Sequence, residues 1–99
     1  MRLKDWFVLS DPCKPYDTHE RLFQGLQRSE RQAVVCLQLK ALQTVKKLVS
    51  QYSLPAEMTD DILNQSTLIF LHKIDEGSYQ FQNNAPSSYL IEIARRLVM

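Results

Sequence analysis

The chain has 99 residues, enough for one small domain and too few for a multidomain enzyme. Hydrophobic residues make up 44% and charged residues 23%, which supplies one core and argues against a disordered tail. Two glycines and four prolines disfavour Gly-rich phosphate loops, collagen and turn-dense β-sandwiches, while twelve Lys/Arg against eleven Asp/Glu leave a net charge of +1. Nucleic-acid contact therefore has to come from a local patch.

Residues 1–17 read as an N-terminal extension without clear periodicity, although Trp6, Phe7, Val8 and Leu9 are apolar enough to dock on the domain. The opening Met-Arg-Leu-Lys-Asp-Trp lacks the apolar stretch and cleavage site of a signal peptide, and no apolar run approaches the ~20 residues that span a bilayer. A cytoplasmic domain without membrane contact is expected. Cys13 and Cys36 share no CxxC spacing, which suggests free thiols in a reducing compartment and leaves a single disulfide as the alternative.

Four helices are predicted. Asp17 and Glu20 have capping-box spacing and open the first, whose inner face is Leu22, Phe23 and Leu26; Gly25 is expected to weaken it slightly. Ser29 and Gln32 repeat that spacing and open a longer helix with Val34, Leu37, Ala41, Val45, Leu48 and Tyr52 on its apolar side, stopped by Pro55. The third begins at Thr59, carries Asp60 and Asp61 in its first turn, buries Ile62, Leu63, Ile69, Phe70 and Ile74, and stops at Gly77. Ser87 or Ser88 then caps a fourth helix with Tyr89, Leu90, Ile93, Ala94, Leu97 and Val98. The expected fold is all-α, a compact bundle of about four helices with a long loop before the last. That last helix is still in full period at Met99, so the domain is expected to be cut from a longer protein.

The loop Ser78–Pro86 holds the chemistry that single-stranded nucleic acid requires. Tyr79 and Phe81 offer rings on which bases stack, and Gln80, Gln82, Asn83 and Asn84 offer amides that can donate to or accept from base edges. The plainer alternative is that both aromatics pin the loop to the core. Arg95 and Arg96 can neutralise phosphates or merely offset the dipole of the last helix, and Asp60 and Asp61 can simply stabilise a helix start. Lys40, Lys46 and Lys47 read as a solvated face. His19 and His72 have no metal-ligand spacing to each other or to the cysteines, and no catalytic constellation is visible. No enzyme and no cofactor are expected.

The block Thr59–Ile74 and the block Ser87-Ser88-Tyr89-Leu90-Ile91-Glu92-Ile93-Ala94-Arg95-Arg96-Leu97 resemble region 2 of bacterial RNA polymerase sigma factors, in the extracytoplasmic-function branch of the sigma-70 family. The resemblance covers about residues 18–99. It implies a domain that docks on the clamp helices of the β′-type subunit of core RNA polymerase, recognises the promoter −10 element and holds the opened non-template strand. Polymerase contacts would map to Asp61, Asn64 and Gln65. DNA contacts would map to Tyr79, Phe81, Asn83, Asn84, Ser87, Ser88, Tyr89, Arg95 and Arg96. An anti-sigma factor is a further implied partner. The sequence departs from the family pattern at Asn64, where Gln is usual, at Gln65, where a carboxylate is usual, and at Arg96, where Asn is common. Glu92 and Ile93 stand where housekeeping sigma factors carry strand-wedging tryptophans. The competing reading is a sigma-like protein-interaction bundle that binds polymerase or an anti-sigma factor without recognising DNA. A helix-turn-helix is disfavoured by the long loop between the last two helices.

Overall fold

The computed structural model describes residues 11–99, in which four helices follow one another: α1 (His19–Gln27), α2 (Arg31–Gln51), α3 (Met58–Asp75) and α4 (Pro86–Val98). No strand occurs among the described residues, and no helix among them is long and apolar enough to cross a membrane. The expectation for Trp6, Phe7, Val8 and Leu9 lies outside these residues. Helices α2, α3 and α4 pack on one another as a three-helix core, and α1 lies chiefly against α2. Its centre is Leu37, Ala41 and Val45 of α2, Phe70 of α3, and Leu90 and Ala94 of α4, none with solvent contact.

The helix ends differ in detail from the sequence expectation. The cap of α1 is Thr18 and not Asp17: Thr18 is the extended residue before the first turn, and its hydroxyl oxygen accepts the Arg21 N–H at 3.1 Å. Asp17 instead lies 3.2 Å from the Arg21 guanidinium. Ser29 does not open α2. It sits at φ +56° and closes α1, with its N–H on the Leu26 carbonyl and the Glu30 N–H on that of Gly25. The same closure ends α2 at Ser53 (φ +55°), whose N–H meets Ser50 while that of Leu54 meets Val49. Helix α2 therefore stops at Gln51, before Pro55, and leaves Tyr52 at the cap, 44% exposed. Gly77 (φ +79°) closes α3 in the same way, as its residue type suggests. Helix α4 starts at Pro86, earlier than a serine cap would place it. The proline ring presets the backbone of the first turn and lacks only an N–H that would be unpaired there anyway, so no side-chain cap is used and both Ser87 and Ser88 lie inside the helix.

The expectation of free thiols is corrected: Cys13 and Cys36 are joined in a disulfide, their Cα atoms 4.9 Å apart. Twenty-three residues separate them in the chain, so only the fold brings residues 11–17 onto the corner between α1 and α2. The arm is further held by Gln32, whose side-chain N–H donates to the Pro12 carbonyl at 3.2 Å, and by the Tyr16 hydroxyl, which donates to Glu30 Oε1 at 2.7 Å. Burial, reinforced by the carboxylate of Glu30, pushes the Tyr16 phenol up from 10.0 to about 12.

Gly25 is the notch into which Tyr16 fits. A Cβ there would lie 2.7 Å from Tyr16 Cε1 and 2.8 Å from the Ala33 Cβ, so the glycine is required for close packing and is more than a weak point of α1.

Two substitutions should move stability in opposite directions in urea titrations. Gly25→Ala should cost about 1–3 kcal/mol through overpacking, despite the better helix propensity of alanine. Ser53→Gly should gain about 0.5–1 kcal/mol by relieving a left-handed serine. A further test concerns pH. The folded-state phenol of Tyr16 titrates above its unfolded value, so its contribution is complete below pH 10 and fades toward pH 12. Wild type should therefore lose stability more steeply than Tyr16→Phe across that window, as read by thermal melts.

Candidate functional site

The loop between α3 and α4 is shaped first by the end of α3. With Gly77 left-handed, the N–H groups of Ser78 and Tyr79 both reach the Lys73 carbonyl, at 2.9 and 3.2 Å, which turns the chain sharply back across the bundle. The Ser78 hydroxyl donates to Glu76, and this bond, with His72 and Lys73 nearby, holds the Glu76 carboxyl below its usual range. His72 Nε2 lies 3.3 Å from Glu76 Oε2. Asn83 supplies a second left-handed residue at φ +63°, a conformation asparagine tolerates better than most side chains.

Aromatic rings then fasten the loop. Tyr79 meets Phe70 edge-on at 4.9 Å between centroids, and lies 4.7 Å from Tyr89 and 5.6 Å from Phe23. Phe81 stacks on Phe23 at 5.3 Å with 12° between planes. Phe70 also lies 5.1 Å from Tyr89. Both loop aromatics are thus half-buried anchors on a platform made by α1, α3 and α4. Burial, and secondarily Tyr89, raises the Tyr79 phenol above its usual range.

Beside this platform runs an open groove of about 700 Å³, lined by Ser78, Tyr79, Gln80, Gln82, Asn84, Ala85, Ser88, Tyr89 and Glu92. Four of the sequence-predicted DNA-binding residues, Tyr79, Asn84, Ser88 and Tyr89, meet there. Phe81, Asn83, Ser87, Arg95 and Arg96 do not line it. Phe81 spends one face on Phe23, and Asn83 serves the turn. Ser88, Glu92 and the Arg95–Arg96 pair follow one another at helical spacing, which places both arginines one turn beyond the groove. Arg95 lies 3.5 Å from Glu92 Oε1. The alternation of ring and amide pointed to the loop itself. Glu92 stood out in the sequence only as a departure from the family pattern, and the role of Phe23 as platform had no signal, because Phe23 lies more than fifty residues upstream of the loop.

The second predicted surface lies along α3. Asp61, Asn64 and Gln65 are all exposed, and Asn64 also braces the fold: its side-chain oxygen accepts from Gln38 Nε2 at 3.1 Å, and the same nitrogen lies 3.0 Å from the Thr67 hydroxyl. One turn on, Leu68 stands 69% exposed among these polar groups, an apolar element of the surface that the helical period did not single out. Among the described residues no group of three metal-ligating side chains comes together.

The platform should behave as a coupled unit. In a double-mutant cycle, Phe23→Leu and Phe81→Leu should each destabilise the fold and show a coupling of about 0.5–1.5 kcal/mol, the range measured for aromatic pairs beyond their buried area. Chemical denaturation of the four proteins measures it.

Comparison with known proteins found no matching family model, no matching curated sequence and no matching solved structure.

Proposed function

We propose that this chain is a sigma region 2-like domain that docks on core RNA polymerase through α3 and takes the non-template strand of the promoter −10 element in the groove between the Ser78–Ala85 loop and α4. The observation that carries the reading is the groove: three side-chain amides, two serine hydroxyls and two tyrosines converge on one open channel, with two arginines one turn further along the same helix. Amides and hydroxyls discriminate base edges, whereas guanidinium groups on phosphates supply affinity without sequence choice. Such a domain performs recognition, and the chemistry belongs to the polymerase. Glu92 narrows the sites available to phosphate, because its carboxylate lines the groove and repels the backbone.

The interaction-only reading, a bundle that binds polymerase or an anti-sigma factor without DNA, is favoured by one observation. Leu68 is an exposed apolar residue beside Asp61, Asn64 and Gln65, and that composition suits a protein partner.

Three substitutions separate the readings. Asp61→Lys should weaken retention on a β′ clamp fragment, since a charge facing a basic partner becomes repulsive. Asn84→Ala should change the ranking of pre-melted −10 sequences in binding assays. Asn84 is preferred to Asn83, whose left-handed backbone would confound the result. Arg96→Ala should weaken all sequences alike and reduce the salt slope by about 1. Polymerase binding with no affinity for any pre-melted −10 strand would leave the interaction-only bundle as the function.

A further inference from the structure

The segment closed by the Cys13–Cys36 disulfide contains the whole of α1. At nine residues α1 is shorter than the ~12–15 that hold a helix in water without partners, so it persists by docking. What docks it is the burial of Leu22, Phe23 and Leu26 and the packing of Tyr16 against Gly25, and the arm that carries Tyr16 is tied to α2 by Cys13–Cys36, by the Gln32 bond to the Pro12 carbonyl and by the Tyr16 bond to Glu30. Phe23, on this dependent helix, is the surface on which Phe81 stacks and which Tyr79 touches. A single covalent bond therefore sits at one end of a chain of contacts whose other end is the groove. The two sulfurs differ in access. Cys36 has no solvent contact, whereas Cys13 is half-buried on the outer arm and is the one that a reagent in solution reaches.

We propose that Cys13 and Cys36 form a reversible thiol–disulfide lock that sets how firmly α1 is docked and, through Phe23, how firmly the Ser78–Ala85 loop is held. The inference is independent of the ligand assigned to the groove. In the closing direction the co-reactant is a hydroperoxide. The Cys13 sulfur attacks its outer oxygen, the O–O bond breaks, and Cys13 becomes a sulfenic acid while water or an alcohol leaves with the thiol proton. The Cys36 sulfur then attacks the Cys13 sulfur and displaces hydroxide, which departs as water with the proton of Cys36. The two thiols lose two electrons in all, and the peroxide gains them. In the opening direction a low-molecular-weight thiolate attacks the Cys13 sulfur, the S–S bond breaks, and Cys36 leaves and takes up a proton. A second small thiol frees Cys13, and the two small thiols end as their own disulfide.

The test compares the full chain after hydrogen peroxide with the full chain in dithiothreitol, by NMR. Reduction should speed amide exchange across α1 by about tenfold or more while the centres of α3 and α4 hold their rates. The ring protons of Phe81, shielded by Phe23, should shift toward their positions in the Phe23→Leu protein. Cys13→Ser should give the reduced pattern without reductant and should not respond to peroxide. In Phe23→Leu, α1 should keep its redox response while the Phe81 ring no longer responds. Two thiols still titrating in the folded protein after peroxide, or α1 exchange unchanged on reduction, would overturn the lock. Loosening of α1 with stationary Phe81 shifts would overturn its connection to the loop.

Discussion

Phe70 has no exposed surface, and its ring is where the loop and α4 are fastened to α3. It projects from α3 and receives Tyr79 from the loop, edge-on, and Tyr89 from the first turn of α4. Those two tyrosines are in contact with each other, and Tyr79 reaches Phe23 on α1, so one aromatic cluster joins three helices and the loop. Aromatic pairs gain about 0.5–1.5 kcal/mol each beyond the area they bury, and four or more of them meeting at one place give a ten-residue connection a defined path. The groove follows from this. Its walls are the loop on one side and α4 on the other, and both walls are positioned by rings that turn toward Phe70.

That arrangement assigns different work to residues of similar type. Phe81 and much of Tyr79 serve the fold, so free stacking area for a base is small, and what the groove presents is dominated by Gln80, Gln82, Asn84, Ser88 and the polar edge of the two tyrosines. Recognition by hydrogen bonding suits such a surface better than indiscriminate stacking does. The near-balance of charge agrees with this: Arg95, one turn beyond the groove, is partly offset by Glu92. The exposed side of α3 is another kind of surface, in which Asn64 is already engaged by Gln38 and an exposed leucine lies among carboxylate and amide groups.

The corner between α1 and α2 is organised by small residues and a cross-link. Gly25 lets Tyr16 lie against α1, and Tyr16 reaches Glu30 at the start of α2. The disulfide holds the same corner. Serines at positions 29 and 53 accept left-handed backbone because the closing hydrogen bonds outweigh a local cost of about 1–2 kcal/mol each.

The all-α class, the four helices, the inner faces of α1 and α2 and the stop at Gly77 were legible in the sequence, because amphipathic period and a glycine in a left-handed turn are local properties. So was the concentration of amides and aromatics before α4. The exact caps were not, since a serine that suits a helix start can also be held at a left-handed helix end, and only the neighbouring hydrogen bonds choose between them. Tertiary structure alone decided that Cys13 meets Cys36, that Gly25 makes room for Tyr16, that Asn64 braces Gln38, and that Phe23 and Phe70 take up the rings of the loop. Each of those is a contact between residues nine or more positions apart, beyond the reach of helical periodicity. Periodicity shows which side of a helix is apolar, whereas the partner it meets depends on how the helices cross.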